Sequence, residues 1–230
     1  MPKKYPIKEK ELPFHNVKIE TQIEILKEFA NLTAEGKSKV TREDVAPRVG
    51  IHAHNISPCL KFWISIGLLD KENKGYKASD KTLEFSRKIE WGDNEKAWLI
   101  IRTHLANTWF GEQIIKAFKD EKPLNENELA NILGSVSGRV QRDKSLVRSL
   151  KAILKLLELS KMIIKDKAGN YTLNTEVSVK PERKPIKIPE DKDMITVYIG
   201  EETFVVDIKE LIEFVKTRGK TLAKEEVKLE

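Results

Sequence analysis

The sequence has few of the features that would point to covalent chemistry, to a disulfide framework or to a membrane. Cys59 is the only cysteine among 230 residues, so no disulfide can form within the chain, and we expect a reducing, cytoplasmic location. The N-terminal segment MPKKYPIKEK is charged and lacks the apolar stretch of a secretory signal. The longest apolar stretch, residues 97–105, contains Arg102 and His104 and is too short to cross a bilayer. We therefore expect no membrane association.

Motifs that carry catalytic chemistry are missing as well. The chain has no GxSxG elbow and no HExxH pair, and its Gly/Ser segment at 135–138 lacks the Lys-Ser/Thr that completes a phosphate loop. His52, His54 and Cys59 could form a local metal site, but they are only three ligands and their spacing matches no common zinc pattern. Cys59 is better explained as a small core residue. We therefore expect a protein that is not an enzyme and that uses no cofactor or metal.

Charge is plentiful and unevenly distributed. Charged residues make up 34% of the chain, with much lysine and glutamate and only three glutamines, a composition typical of thermophiles. Residues 1–90 and 91–174 each carry a net charge of +4, whereas residues 175–230 carry −2, in agreement with the overall +6. A mildly basic front and a mildly acidic tail permit nucleic-acid binding without requiring it.

Hydrophobic periodicity and capping residues predict one series of elements that occurs twice. The first copy comprises helices over 18–33, 41–49 and 53–67 and a hairpin over 68–78. After a helix over 79–90, the second copy comprises a long helix over 95–120, a short helix ended by Gly134, a helix over 143–160, and a hairpin that turns at AGN. Thr41 and Gly50 are the expected caps of the short first-copy helix. We therefore predict an arm (1–17) followed by two domains (18–92 and 93–174).

The C-terminal part differs in composition from the two domains. Residues 175–193 contain three prolines among charged residues, which predicts an extended linker. Residues 194–230 show two strands and one helix, KELIEFVKTRG, a ββα extension too small to be stable alone. We expect it to pack on the front domains or on a partner chain. Two strands without a full sheet favour a homodimer or the docking of a protein partner.

The segment from Gly50 to Leu69, GIHAHNISPCLKFWISIGLL, resembles the recognition segment of winged helix-turn-helix proteins of the MarR/ArsR type. The shared features are Gly50 in the turn, Ile56-Ser57, Leu60, and Gly67-Leu68-Leu69 at the entry to the hairpin. The resemblance covers residues 18–78, and residues 95–174 share its element order, with SKMII in place of Gly-Leu-Leu. It implies a mainly α fold of tandem winged-helix domains with small β-hairpin wings. It also implies binding of double-stranded DNA by the third helix, as in transcriptional regulators.

Pro58 departs from the pattern of this family. Because proline is tolerated only near the start of a helix, we expect the third helix either to begin late, near Ser57, or to bend at Pro58. Either outcome would change how this helix enters a groove of DNA.

The third helix of the second copy is the stronger candidate for DNA contact. Its cations follow one another at spacings of four, three and four and therefore share one helical face. The expected contacts are Lys144, Arg148, Lys151 and Lys155, with Arg139, Arg142 and Ser145 beside them. Like charges along a helix lower its stability, which is easier to understand if a polyanion relieves the repulsion. An ordinary solvated helix face would show the same pattern.

In the first copy the expected contacts are His54, Asn55 and Lys61 on the third helix and Lys74 and Lys77 on the wing. Asparagine can read adenine, and lysines on a wing suit phosphates. A single lysine on the helix supplies little attraction for phosphate, so this face could equally pack against a protein. The alternative to DNA binding is a non-catalytic scaffold or adaptor built from tandem winged helices.

Overall fold

The computed structural model describes residues 9–36, 39–139, 141–174, 194–199 and 202–207. The chain divides into two compact units, Met1–Glu182 and Arg183–Glu230. The described helices are α1 (Ile19–Ala34), α2 (Arg42–Val49), α3 (Ala53–Ser65), α4 (Asp80–Glu90), α5 (Asn94–Ala106), α6 (Trp109–Ala117), α7 (Glu126–Val136) and α8 (Lys144–Leu159). The described strands are β1 (Leu69–Glu72), β2 (Gly75–Ala78), β3 (Leu124–Asn125), β4 (Ile163–Lys165), β5 (Asn170–Leu173), β6 (Met194–Ile199) and β7 (Glu202–Asp207).

The described strands form three small antiparallel sheets beside the helices. β1 pairs with β2, β5 lies between β3 and β4, and β6 pairs with β7 in the second unit. The expectation of a mainly α fold with small hairpins is confirmed. The predicted linker and the predicted helix of the ββα extension lie outside the described residues.

α2 begins and ends as its sequence predicts. The Thr41 hydroxyl accepts a hydrogen bond from the Asp44 amide, and the Asp44 carboxylate accepts one from the Thr41 amide at 2.8 Å, which completes a capping box. Gly50 ends the helix with a φ of 73°, a left-handed conformation that suits glycine. Just before α2, Val40 forms a β-bridge with Tyr76 of β2 and so ties the start of α2 to the hairpin.

α3 does not begin late. It runs from Ala53 to Ser65 with His52 as its N-cap residue and Pro58 in its second turn, so the late start near Ser57 is wrong. Proline has no amide hydrogen, and the helix therefore lacks the bond that residue 58 would otherwise donate one turn back. Leu60 and Trp63 are fully buried on the core side of the helix and hold it in place.

The predicted long helix over 95–120 is wrong, because two helices occupy that stretch. α5 ends at Ala106, and Thr108 starts α6 by accepting a hydrogen bond from the amide of Gly111 at 3.2 Å. A Cβ atom at Gly111 would lie 2.0 Å from the carbonyl oxygen of Leu105, so only glycine permits this approach. The break depends on a cap and a close backbone contact, which leave the apolar periodicity of the sequence unchanged.

Gly134 does not end α7, contrary to the prediction from its residue type. The helix continues to Val136, and Ser137 is its C-cap residue. A Cβ atom at Gly134 would lie 3.4 Å from a methyl carbon of Leu150 on α8, so this glycine lies where the two helices pack closely.

The strand β3, which the sequence pattern did not predict, pairs with β5 much as Val40 bridges to β2 in the first copy.

The junction of third helix and hairpin recurs at an offset of 94 residues, from Gly67 to Lys161. In α3 the amides of Gly67 and Leu68 bond to carbonyls three and five residues back, and in α8 the amides of Lys161 and Met162 do the same. This pair of bonds is the Schellman motif. Both Gly67 and Lys161 adopt a left-handed φ, of 73° and 56° respectively. Lysine therefore occupies a position in the second copy for which glycine is better suited.

The two copies share one hydrophobic core. The ring of Phe62 on α3 stacks with that of Phe110 on α6, with 6.0 Å between their centroids. α5 contacts both third helices: the Arg102 guanidinium donates to the carbonyl of Ser160 at 2.7 Å, and His104 donates to the carbonyl of Ile66. Ile66 and Ser160 are the C-cap residues of α3 and α8. None of the described helices is long and apolar enough to span a membrane.

We expect Lys161→Gly to raise the free energy of unfolding by about 1 kcal/mol, because it removes the strain of a left-handed lysine. Gly67→Ala should lower it by about the same amount. A Cβ atom at residue 67 would meet only a His104 carbon at 3.9 Å, so this loss reports backbone strain and not a clash. Urea denaturation measures both changes.

Lys167→Gly, in the exposed turn between β4 and β5, is the matched control, because Lys167 is not among the residues of positive φ. It should leave the stability unchanged or slightly lower. A similar effect of glycine at residues 161 and 167 would contradict the account of the Schellman turn.

Candidate nucleic-acid interface

α8 presents four cations on the side that faces away from the core, and we call this set the basic stripe. The helix begins where Asp143 accepts a hydrogen bond from the Leu146 amide at 2.7 Å. Ile153 and Leu157 are fully buried on the opposite side. The basic stripe consists of Lys144, Arg148, Lys151 and Lys155.

Two cations of the basic stripe have carboxylate partners. Lys151 Nζ lies 3.4 Å from Glu126 Oε2 on α7, and Lys155 Nζ lies 3.2 Å from Glu158 Oε2. Both lysine side chains remain 43% exposed. Lys144 and Arg148 are exposed, and neither has an ion-pair partner among the residues that the structure describes. The stripe is therefore exposed along its length and neutralised only in its second half.

The residues beside the start of α8 are less available than their types suggest. Arg139 Nε lies 3.2 Å from Glu9 Oε2, and the Ser145 hydroxyl donates to Asp143 Oδ1 at 2.7 Å. The hydrogen bond from the Leu146 amide, with that from Ser145, holds the pKa of the Asp143 carboxyl below its usual value. Asp143 thus stays ionised at neutral pH. Arg142 is exposed.

The described part of the N-terminal arm, residues 9–17, packs against α8 and its preceding loop. The buried Ser149 hydroxyl donates to the carbonyl of Pro13 at 2.6 Å, and the Lys10 amide donates to the carbonyl of Ser137 at 2.9 Å. Gln22 of α1 donates to the carbonyl of Phe14 at 2.9 Å. Ser149 therefore holds the arm and has no hydroxyl proton left for a phosphate.

The arm borders a cleft of about 490 Å³ between α3 and the N-terminal end of α8. Pro58 and Ser145 line this cleft from the two helices, and Glu9 and Glu11 line it from the arm. The middle of α3 therefore lies next to α8 and the arm. No sequence signal predicted this cleft, because its walls come from segments far apart in the chain.

The predicted contacts on α3 differ in exposure. His54 and Lys61 are exposed, whereas Asn55 is half-buried. The ring of His54 stacks on that of His52, with 5.4 Å between the centroids. Ser57 accepts a hydrogen bond from Arg42 of α2, which brings a second cation to the exposed side of α3. Arg42 also forms an ion pair with Glu43, with 2.7 Å between Nε and Oε1, so a carboxylate offsets the charge that it brings to this face.

The hairpin of β1 and β2 carries lysines among acidic residues. Lys74 lies at its tip with a φ of 69°, and Lys77 lies directly opposite Asp70 in the strand register. Lys71 and Lys74 line a shallow pocket together with Arg42. These three cations are close enough to border one pocket, although two carboxylates, Glu72 and the Glu43 that pairs with Arg42, line it too.

Cys59 and the two histidines at the start of α3 do not form one cluster that could hold a metal ion. Its side chain is fully buried, and its thiol donates a weak hydrogen bond to the carbonyl of Asn55 at 3.3 Å. Burial raises the pKa of the thiol to about 12. His52 and His54, in contrast, are exposed. Among the described residues there is no group of three or more His, Cys, Asp or Glu side chains arranged for a metal ion.

Comparison with family models, with characterised proteins and with solved structures finds no match to this chain. A function must therefore be inferred from the side chains that α8, α3 and the hairpins present to solvent.

We expect Cys59 to resist alkylation in the folded protein. A thiol with a pKa of about 12 is almost entirely protonated at pH 8, and the thiolate is the reactive form. Mass spectrometry after iodoacetamide treatment should show negligible labelling of the native chain and rapid labelling in urea. Fast native labelling at pH 8, or protection that depends on added zinc, would contradict the core role of Cys59.

Proposed function

We propose that this chain is a non-catalytic protein that binds double-stranded DNA and regulates transcription, and that residues 18–92 and 93–174 are tandem winged-helix domains. Support for the architecture comes from a series of third helix, Schellman turn and hairpin that occurs at Gly67 and again at Lys161. A second similarity is the β-pairing that joins the start of the second helix to the hairpin in each copy. In proteins of this kind the third helix enters the major groove.

The observation that carries the DNA proposal is the basic stripe on α8. Lys144 and Arg148 lie one turn apart, are exposed, and have no carboxylate partner among the described residues. Lys151 and Lys155 hold only surface ion pairs, which contribute at most about 1 kcal/mol each and can be exchanged for phosphate contacts. All four can thus face a polyanion at once.

We expect Lys144→Ala/Arg148→Ala to weaken binding to a random-sequence duplex by about tenfold or more at low salt. For each phosphate contact that is lost, binding also releases about one counterion fewer from the DNA. The slope of log K against log salt should therefore become shallower by about 0.9 per residue, or about 1.8 for the pair. Fluorescence anisotropy titrations at four salt concentrations measure both quantities.

Lys116→Ala/Lys119→Ala is the matched control, because both lysines are exposed at the end of α6 and outside the basic stripe. It removes the same charge and should leave the salt slope nearly unchanged. Equal slopes for the two double variants would show that net charge, and not the stripe, attracts DNA. No binding by the unaltered chain at low salt would refute the function.

A second candidate function is a protein scaffold, which the surface of the first copy favours. Lys61 is the only cation that the sequence of α3 contributes, and Asp70 lies opposite Lys77 on the hairpin. A mixed surface of this kind suits a protein partner better than a phosphate backbone. Recovery of a stoichiometric protein partner, together with no duplex binding at low salt, would favour the scaffold.

A further inference from the structure

Trp91, just after α4, is the most exposed large apolar side chain among the described residues. Its relative exposure is 83%, whereas Trp63 is fully buried and Trp98 and Trp109 are partly buried. It borders a groove between α1 and α4 whose lining includes Ala30, Ala34 and Leu83. Polar and charged residues, among them Asn31 and Glu90, complete the lining, so the groove is of mixed polarity. An exposed tryptophan beside such a groove is typical of an interaction surface.

The exposed side of α4 has an ordered pattern of charge that ends in this tryptophan. Asp80, Glu84, Arg87 and Trp91 follow one another at spacings of four, three and four, so they form one column along the helix. All four are exposed. Among the described residues, neither Glu84 nor Arg87 has an ion-pair partner.

We propose that this column is an isologous interface with a second copy of the same chain, in which the two α4 helices pack antiparallel. A two-fold axis that passes between residues 85 and 86 brings Glu84 of one copy opposite Arg87 of the other. The same axis brings Trp91 opposite Asp80 and beside the groove at Leu83 of the other copy. The column is therefore complementary to itself in charge.

Self-complementarity favours a second copy over an unrelated partner. The surface carries a protruding indole and charges of both signs, and a two-fold axis pairs Glu84 with Arg87 and Trp91 with Asp80. Each indole would cover apolar surface from water, and its N–H could donate to the Asp80 carboxylate of the other copy. Each pair of copies would form two Glu84–Arg87 ion pairs. This interface does not depend on DNA binding.

Light scattering coupled to size-exclusion chromatography of the full chain tests the interface. We expect a dimer mass that depends on concentration. Trp91→Ala, Arg87→Glu and Glu84→Arg should each give a monomer, because each removes the indole or places like charges opposite one another. All three residues are exposed, so the thermal unfolding of these variants should match that of the unaltered chain at concentrations low enough for the unaltered chain to be monomeric.

An equimolar mixture of the Arg87→Glu and Glu84→Arg chains gives the sharpest test. Each variant alone places like charges together, whereas a mixed pair restores both ion pairs, so the dimer mass should return. Glu112→Arg, an exposed charge reversal on α6, is the control and should remain dimeric. A monomeric unaltered chain, a dimer that survives Trp91→Ala, or a mixture that stays monomeric would each overturn the proposal.

Discussion

Two side chains of α5 hold the third helices of both copies by their C-terminal ends. Arg102, buried in the core, donates to the carbonyl of Ser160 at the end of α8, and His104, two residues along, donates to the carbonyl of Ile66 at the end of α3. Carbonyls at a helix end lack intrahelical partners and carry partial negative charge, so a cationic or N–H donor is favourable there. A guanidinium buried this deeply is tolerated only because it is hydrogen bonded. One helix therefore sets the relative position of the other two.

This constraint also determines what surface the first unit can offer. With their C-terminal ends held by α5, α3 and α8 come together at the cleft that Pro58 and Ser145 line. Two recognition helices that enter successive major grooves must lie about 34 Å apart. Because Pro58 of α3 and Ser145 of α8 line one cleft, the two helices lie side by side there and are not arranged for two successive grooves. Under the proposed function, one chain thus offers one helix to a major groove, and α8 has the charges for it.

Local chemistry explains why much of the fold was predictable from the sequence. Caps such as Thr41 with Asp44, Gly50 and Asp143 act within one turn, and the helices that they delimit lie where the pattern placed them. The rest depends on contacts between distant segments. The break before α6 requires the approach of Gly111 to Leu105, and the anchoring of the arm requires Ser149 to reach Pro13. Neither contact can be recognised from the hydrophobic periodicity of the sequence.

The candidate site shows the same division between local and distant effects. The spacing of the basic stripe predicts that its members share a face, but not that Glu126 on α7 lies beside Lys151. The offset between the copies places His54 in register with Arg148 and Lys61 in register with Lys155. Where the second copy has Lys151, the first has Ser57, and Arg42 reaches that serine from α2. The two copies therefore share the turn between third helix and hairpin and differ in the charge that the third helix presents. Under the proposed function, these solvated side chains determine which of the two helices can bind a polyanion.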